Sequence, residues 1–176
     1  MKNTILVAAL LLVTPLVALS QTQQSPYAGQ ERQDIRTLSA DEIQAYMTGQ
    51  GAGLAKAAEL NNYPGPRHVL ELAEQLQLSD VQKAQAEKIR ADMLSEATRL
   101  GPMIVEKERE LNHLFAGNKI DGTSLASVVG EIARLQGELR ITHLRAHLEL
   151  RRVLSDAQVK KYDELPGYGS HNHQHN

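Results

Sequence analysis

Two long stretches of helical periodicity, separated by one short turn, constrain the fold of this chain more than any other feature. They span about residues 79–115 and 123–154, and in both the apolar residues recur every three or four positions, as on one face of an α-helix. Glycine, asparagine and aspartate mark the turn over residues 117–122, and Gly101-Pro102 predicts a kink in the first helix. No alternating run of β-branched residues predicts a strand. The pattern therefore predicts an all-α fold with a long helical hairpin at its centre.

The apolar faces of the two long helices predict the core of this hairpin. In the first helix the face consists of Ile89, Met93, Leu100, Ile104, Leu111 and Phe115. In the second helix it consists of Leu125, Val128, Val129, Ile132, Leu135, Leu139, Ala146, Leu150 and Val153. Short helices are expected to flank the hairpin: one that begins near Ser39, one in LAKAAEL, one after the break at Pro64-Gly65-Pro66 and one after the second long helix.

A five-residue signal for the start of a helix occurs twice, as LSDVQ before the first long helix and as LSDAQ after the second. In each copy the serine can accept a hydrogen bond from the N–H three residues on, and the glutamine there can accept one from the serine N–H, which completes a capping box. The four residues are Ser79, Gln82, Ser155 and Gln158. A looser copy, LSADE, places Ser39 and Glu42 in the same relation. The motif therefore predicts three helix starts.

Both ends of the chain predict segments that lie outside the helical domain. The first residues read MKNTILVAALLLVTPLVALSQ, in which one lysine precedes an apolar run and small residues precede a cleavage site after Ser20. We interpret residues 1–20 as a secretory signal peptide, with a retained anchor as the alternative, and no membrane span is expected after cleavage. Polar composition predicts a disordered segment at 21–37 and a disordered, histidine-rich tail at 166–176. The helical domain is expected between them, at 38–165.

The second half of the 123–154 helix carries a second apolar row on the side away from the core. Its members are Ile141, Leu144 and Leu148, and arginines border it at Arg140, Arg145, Arg151 and Arg152. One hairpin partner covers only one face of a helix, so this row is expected to contact a short flanking helix, a second subunit or a client protein. An apolar strip with an arginine border can bind exposed apolar and acidic segments of other chains. An ordinary dimer interface is the alternative.

Histidines supply the candidate metal ligands. His143 and His147 are four residues apart on the predicted helix, a spacing that suits two ligands of Zn²⁺, Ni²⁺ or Cu²⁺. A site needs a third and usually a fourth ligand, and His113 lies about 25 Å away along the hairpin axis by helical rise. His143 adjoins the core face, so a packed core histidine is the alternative. The tail adds three histidines that can bind the same metals weakly, namely His171, His173 and His175.

Composition and motifs argue against catalysis. Without cysteine the chain has no disulfide, thiolate metal site or cysteine nucleophile. The sequence contains no nucleophile elbow, no recognisable pair of catalytic carboxylates and no nucleotide-binding loop. A formal net charge of −2 gives no bulk signal for nucleic acid. These observations predict a binding protein rather than an enzyme, with no required cofactor and no nucleic-acid partner.

The order of these motifs resembles a known family. The two L-S-D-x-Q boxes, one that opens the hairpin and one just after it, follow a signal peptide, and this arrangement resembles the Spy/CpxP family of bacterial envelope proteins. The repeated motif of that family is L-T-x-x-Q, and here Ser79 and Ser155 replace the threonine while they keep the capping hydroxyl. The segment that precedes the hairpin also looks like members of the family, so the resemblance spans about residues 35–165.

The resemblance implies a periplasmic all-α protein, exported across the inner membrane of a Gram-negative bacterium, that forms a curved antiparallel homodimer. Relatives act as ATP-independent chaperones, as envelope-stress regulators, or as metal-responsive and zinc-binding proteins. We therefore expect a chaperone or stress protein that binds unfolded clients or an envelope sensor protein. The alternative is a periplasmic sensor or buffer for Zn²⁺, Ni²⁺ or Cu²⁺. The four motif residues carry over in a structural role only.

Overall fold

The structure, a computed structural model, describes Tyr27, Gly29, Gln33 and residues 35–165. By its internal contacts the chain divides into two units, residues 1–31 and 32–176, and every helix below belongs to the second. The expected signal peptide and the histidine-rich tail lie outside the described residues. Among the helices that the structure describes, none is long and apolar enough to cross a membrane.

Six helices and no strand make up the described part of the chain, so the predicted all-α class and its long hairpin are confirmed. The helices are α1 (Ala40–Thr48), α2 (Lys56–Glu59), α3 (Pro66–Glu71), α4 (Asp80–Ala116), α5 (Gly122–Val153) and α6 (Asp156–Glu164). The two long helices, α4 and α5, form the hairpin, and α4 runs through Pro102 without interruption.

Capping boxes begin the helices where the motif predicts them. In α1, α4 and α6 the cap serine accepts from the N–H three residues on, and the side chain at that position accepts from the serine N–H. A fourth box, at a place where the sequence predicts only a turn, begins α5: Asp121 and Ser124 cap each other. The hydrogen bonds from Ser124, above all from its backbone N–H, lower the pKa of Asp121. All four helix starts are thus fixed by local hydrogen bonds.

The two L-S-D-x-Q boxes also bind each other. The Gln82 amide Nε2 donates to Gln158 Oε1 at 2.8 Å, and Gln158 Nε2 donates back to Gln82 Oε1 at 3.1 Å. The same two nitrogens donate to backbone carbonyls, Gln82 to Val153 at 2.9 Å and Gln158 to Leu76 at 3.2 Å. Each glutamine therefore completes its own box and satisfies a carbonyl of a neighbouring segment. This mutual contact gives a physical reason for the motif to occur twice.

Three clusters of buried side chains form the core. The capped-end cluster joins α3, α4, α5 and α6 and contains Val69, Leu72, Leu76, Leu78, Ala86, Leu150, Leu154, Val159 and Tyr162. The central cluster lies between the middles of α4 and α5 and contains Ala97, Leu100, Ile104, Leu135 and Leu139. The N-terminal cluster joins the segment before α1 to α4 and contains Ile35, Leu38 and Val105.

A glycine brings α1 against α4. A Cβ atom added at Gly101 would lie 2.6 Å from the carbonyl carbon of Tyr46 and would overlap its carbonyl oxygen. The side chain of Tyr46 packs against both the central and the N-terminal cluster. Helix α1 then ends at Gly49, which adopts a left-handed conformation with φ 67°. The absence of a side chain at Gly101 therefore permits a backbone-to-backbone approach that anchors α1.

The structure corrects the predicted core near the hairpin turn. Phe115, Leu125 and Val129 are exposed, although their spacing places them on the core faces. Helical spacing identifies a face but not its neighbours, and the three core clusters all lie away from this end of the hairpin. At the start of the domain, Ile35 is buried and Thr37 Oγ1 donates to Glu108 Oε2 at 2.8 Å. The packed domain therefore begins before residue 38.

Candidate functional site

The second apolar row of α5 faces outward. Ile141 is 53 % exposed and Leu148 is 48 % exposed, while Leu144 between them is half-buried. The sequence allows a flanking helix, a second subunit or a client protein as the contact of this row. In the described part of the chain, no flanking helix covers Ile141 and Leu148. A second subunit or a client protein can still contact them.

Arginines border this row as the sequence predicts. Arg140 and Arg145 are exposed, and Arg151 is half-buried. The Arg151 guanidinium donates to the Asp156 carboxylate at 2.6 Å, which links the end of α5 to the first turn of α6. Arg140 and Arg145 make no hydrogen bond or ion pair within the residues that the structure describes, so their charge is available to an acidic segment.

Sequence reasoning missed a feature of the same face. Toward the turn, the same face carries Gly130 and Gly137, where an added Cβ would meet nothing within 4 Å, and between them the exposed Arg134, which pairs with Glu131 and Glu138. Gly130 and Gly137 are seven residues apart, as are Ile141 and Leu148, which is the spacing of one continuous helix face. The outer face of α5 therefore changes from glycine and charged residues in its first half to large apolar residues in its second.

The two predicted histidine ligands lie inside the fold. His143 is 3 % exposed and His147 is 4 % exposed. The Nδ1 atom of His147 is 2.8 Å from the carbonyl oxygen of Tyr63. The Nε2 atom of His143 is buried without a hydrogen-bond partner in the described structure. The packed-histidine alternative therefore accounts for His147, whereas His143 lacks the partner that a buried polar group normally has.

Burial also sets the charge of His143. Desolvation, followed by the repulsion of nearby His147, lowers the pKa of the His143 imidazole below its usual value of 6.5. The ring is therefore neutral at neutral pH. A neutral imidazole offers one N–H donor and one nitrogen acceptor, and it can ligate a metal without first releasing a proton.

Both rings line a cavity of about 550 Å³ that is partly open to solvent. The loop after α1, helix α2 and the start of α3 form one side of it, and α4 and α5 form the other. Two glycines bring the first side close to the histidines. A Cβ at Gly51 would lie 3.4 Å from His143 Nδ1, and a Cβ at Gly65 would lie 3.0 Å from His147 Cε1. These glycines could not have been recognised as cavity residues from the sequence.

Charged side chains stand around this cavity. The cations are Lys56, Arg67 and Arg90, and Glu59 is the one carboxylate among the lining residues of the described structure. Glu59 Oε1 is 3.9 Å from His68 Nδ1, and a Cβ added at Gly65 would lie 3.3 Å from it. No group of three or more histidine, aspartate or glutamate residues has the geometry of a metal site within the described residues. His171, His173 and His175 lie outside them.

Comparison with known proteins identifies the family. The family model described as LTXXQ motif family protein matches residues 66–166, which is more than half of the chain. The chain belongs to the LTXXQ motif family. The match includes both L-S-D-x-Q boxes and the whole hairpin, and it begins at α3, so α1, α2 and the glycine-rich loop that closes the cavity precede it. No curated protein and no solved structure matches the chain.

Membership in the LTXXQ family limits the number of candidate functions. Proteins of this family are typically periplasmic and are Spy/CpxP-like or associated with metal resistance. They are chaperone-like or metal-resistance proteins rather than enzymes. The choice between chaperone and metal protein then depends on the two sites described above, the outer row of α5 and the histidine-lined cavity.

Proposed function

We propose that this LTXXQ protein is a periplasmic, ATP-independent chaperone or envelope-stress protein that binds exposed apolar segments of other proteins on the outer row of α5. The observation that carries the proposal is the exposure of Ile141 and Leu148 on a helix whose opposite face is buried in the core. A protein that leaves large aliphatic side chains in water on a rigid helix has a surface suited to association.

The chemistry of this surface suits unfolded chains. Leucine and isoleucine side chains gain free energy from contact with any apolar segment, because burial of apolar area is not directional. Arg140 and Arg145 can add hydrogen bonds to carboxylates, and their aliphatic stems add apolar area. Such a surface does not depend on one client sequence. An envelope sensor protein with an apolar and acidic segment would bind in the same way.

We expect the double substitution Leu144→Ser and Leu148→Ser to weaken client binding by roughly tenfold or more, because each change removes about 1 kcal/mol or more of apolar burial from the complex. Light scattering of a denatured client, without ATP and at equimolar protein, measures the loss of protection. Helicity should not change, because Leu148 lies outside the core and Leu144 is only half-buried.

The matched control is Val81→Ser. Val81 is also an exposed aliphatic residue on a long helix, but it lies in the first turn of α4 and not in the outer row. Its replacement should leave protection unchanged. If the wild-type protein does not suppress aggregation at all, or if both variants lose protection equally, the outer row is not the client surface.

A second copy of the chain is the other occupant that we propose for this face. The half at Gly130 and Gly137 leaves room for side chains of another helix beside Arg134, and the half at Ile141 and Leu148 supplies apolar contact. Two such faces in antiparallel orientation would place the half of each helix that carries Gly130 and Gly137 opposite the half of the other that carries Ile141 and Leu148. Sedimentation velocity of the protein from residue 21 onward distinguishes a homodimer from a monomer.

The second candidate function is metal binding, and the unpartnered ring of His143 favours it. Its Nε2 atom is buried without a hydrogen-bond partner in the described structure, and the ring is neutral at neutral pH, as a ligand must be. With His147 it supplies two imidazoles for Zn²⁺, Ni²⁺ or Cu²⁺. Against this candidate, the described residues offer no third ligand in position.

Calorimetry with each of the three ions tests the metal candidate. If the His143 pair is the site, His143→Ala should abolish the heat of binding, and truncation after Pro166 should preserve it. If the tail with His171, His173 and His175 is the site, truncation should abolish the heat and His143→Ala should preserve it. An absence of heat with Zn²⁺, Ni²⁺ and Cu²⁺ alike would end the metal candidate.

A further inference from the structure

We propose that the cavity at His143 binds a small organic acid, meaning a molecule with one carboxylate and a compact apolar body. The proposed client surface plays no part in this inference, because no residue of the outer row of α5 lines the cavity. The inference rests on three features of the site: an unpartnered buried imidazole, an excess of positive charge and an apolar wall.

The first feature is the imidazole of His143, one of the lining residues of the cavity. His143 is buried and lines the cavity, and its ring makes no hydrogen bond with the residues that the structure describes. A buried polar group without a partner costs about 1–3 kcal/mol. The Nε2 atom itself is closed off from the cavity, whereas Nδ1 lies next to the cavity-lining Gly51, so a ligand would accept its hydrogen bond from the Nδ1 side of the ring. Neighbouring His147 differs in this respect, because its Nδ1 atom lies 2.8 Å from the carbonyl oxygen of Tyr63.

The second feature is the charge of the wall. The side chains of Lys56 and Arg90 line the cavity and make no hydrogen bond or ion pair in the described part of the chain, and Arg90 interacts at longer range with Glu71. Arg67 also lines it, with its Nε at 2.8 Å from Glu71 Oε1. Glu59 is the only carboxylate that opposes them among these lining residues. The cavity therefore favours an anion, and its cations would repel a divalent metal ion.

The third feature is size and polarity. A volume of about 550 Å³ exceeds what an inorganic anion fills and lies within the range typical of small-molecule sites. Met93 and Leu94 of α4 line one side, and Ala55 and Pro66 line the other. An apolar body between these side chains would place a carboxylate toward His143 and the cations. This combination distinguishes an organic acid from free phosphate.

Four probes separate these features: benzoate, its neutral analogue benzamide and its cationic analogue benzamidine, which are alike in size, and the smaller inorganic phosphate. We expect benzoate to bind at least about tenfold more tightly than benzamide, the gain of a charge-assisted hydrogen bond. Benzamidine and phosphate should bind more weakly still. Titration of the isotope-labelled protein, followed by the NMR signals of the His143 ring, measures affinity and location together. Equal binding of benzoate and benzamide overturns the proposal, as does a benzoate response that leaves His143 unshifted.

Substitutions assign the site to its residues. Lys56→Gln and Arg90→Gln change exposed side chains, so the fold should be kept, and each should weaken benzoate binding by roughly three- to tenfold. His143→Leu should weaken it by about tenfold without loss of thermal stability, since it removes an unpartnered polar group. The matched control is Lys160→Gln on α6, an exposed lysine that does not line the cavity. Benzoate binding that survives all three changes overturns the proposal.

The same variants separate this proposal from the metal candidate. Removal of Lys56 or Arg90 takes positive charge from the wall, so it should weaken benzoate and strengthen any Zn²⁺ binding at His143 and His147. If these substitutions weaken the binding of both benzoate and Zn²⁺, or of neither, the inference that the charge of the cavity selects an anion is contradicted. A protein that protects clients but binds no benzoate would overturn this proposal alone and leave the chaperone function standing.

Discussion

Gly101→Ala should detach α1 from the hairpin and lower the free energy of unfolding by about 2 kcal/mol or more, because the new methyl group cannot be accommodated without backbone movement. The Cβ would overlap the Tyr46 carbonyl oxygen, and backbone cannot rotate away as a side chain can. The contacts of Tyr46 with the central and N-terminal clusters would be lost with it. We expect the midpoint of thermal unfolding to fall by roughly 5–10 °C, as measured by circular dichroism.

Gly130→Ala is the matched control, since both glycines lie inside a long helix. An added Cβ at Gly130 meets nothing within 4 Å. Alanine favours a helix over glycine by about 0.5–1 kcal/mol, so this variant should be slightly more stable than the wild type. Opposite signs for the two substitutions would show that the contact with α1, and not helix propensity, decides the effect. A stabilising Gly101→Ala would contradict the described packing of α1.

Gln158→Ala should lower the free energy of unfolding by about 2–4 kcal/mol, because it removes the capping contact in α6 and the hydrogen bonds that join both boxes. It would leave the Leu76 carbonyl without the Gln158 donor and would remove both hydrogen bonds between Gln158 and Gln82, while Gln82 keeps its bonds to Val153 and Ser79. Urea denaturation measures the change. The control is Gln85→Ala on α4, an exposed glutamine for which the cost should stay below about 0.5 kcal/mol.

A double-mutant cycle then isolates the contact between the boxes. If Gln82 and Gln158 act as a pair, Gln82→Ala combined with Gln158→Ala should cost about 1 kcal/mol less than the sum of the two single changes. Exact additivity would mean that each glutamine only caps its own helix. In that case the mutual hydrogen bonds contribute nothing to stability, and the repeat of the motif needs another explanation.

The helix starts could be predicted from the sequence because their determinants are local. A capping box needs only a serine and a side chain three residues later, so Ser39, Ser79 and Ser155 reveal α1, α4 and α6 without knowledge of the tertiary structure. The exposed row of α5 was predictable for the same reason, since helical spacing alone places Ile141 and Leu148 opposite the core. Their exposure agrees with that expectation.

The remaining features depend on which distant segments meet. Nothing near Gly101 in the sequence indicates that the Tyr46 carbonyl packs against it, and Gly101-Pro102 alone suggests only a kink. The cavity was missed because its glycine-rich wall folds over the histidines from residues 49–59, more than eighty positions before His143 in the chain. The exposure of Phe115 was missed because a helical stripe does not indicate where its partner ends.

The two histidines divide the hydrophobic interior of the hairpin. On α5 they lie between Leu139, the last member of the central cluster, and Leu150, the first in the capped-end cluster. The two clusters share no residue, so cooperativity between them must pass through the long helices and the cavity walls. A ligand bound in the cavity between the two clusters would therefore tie them together and raise the midpoint of thermal unfolding of the whole hairpin.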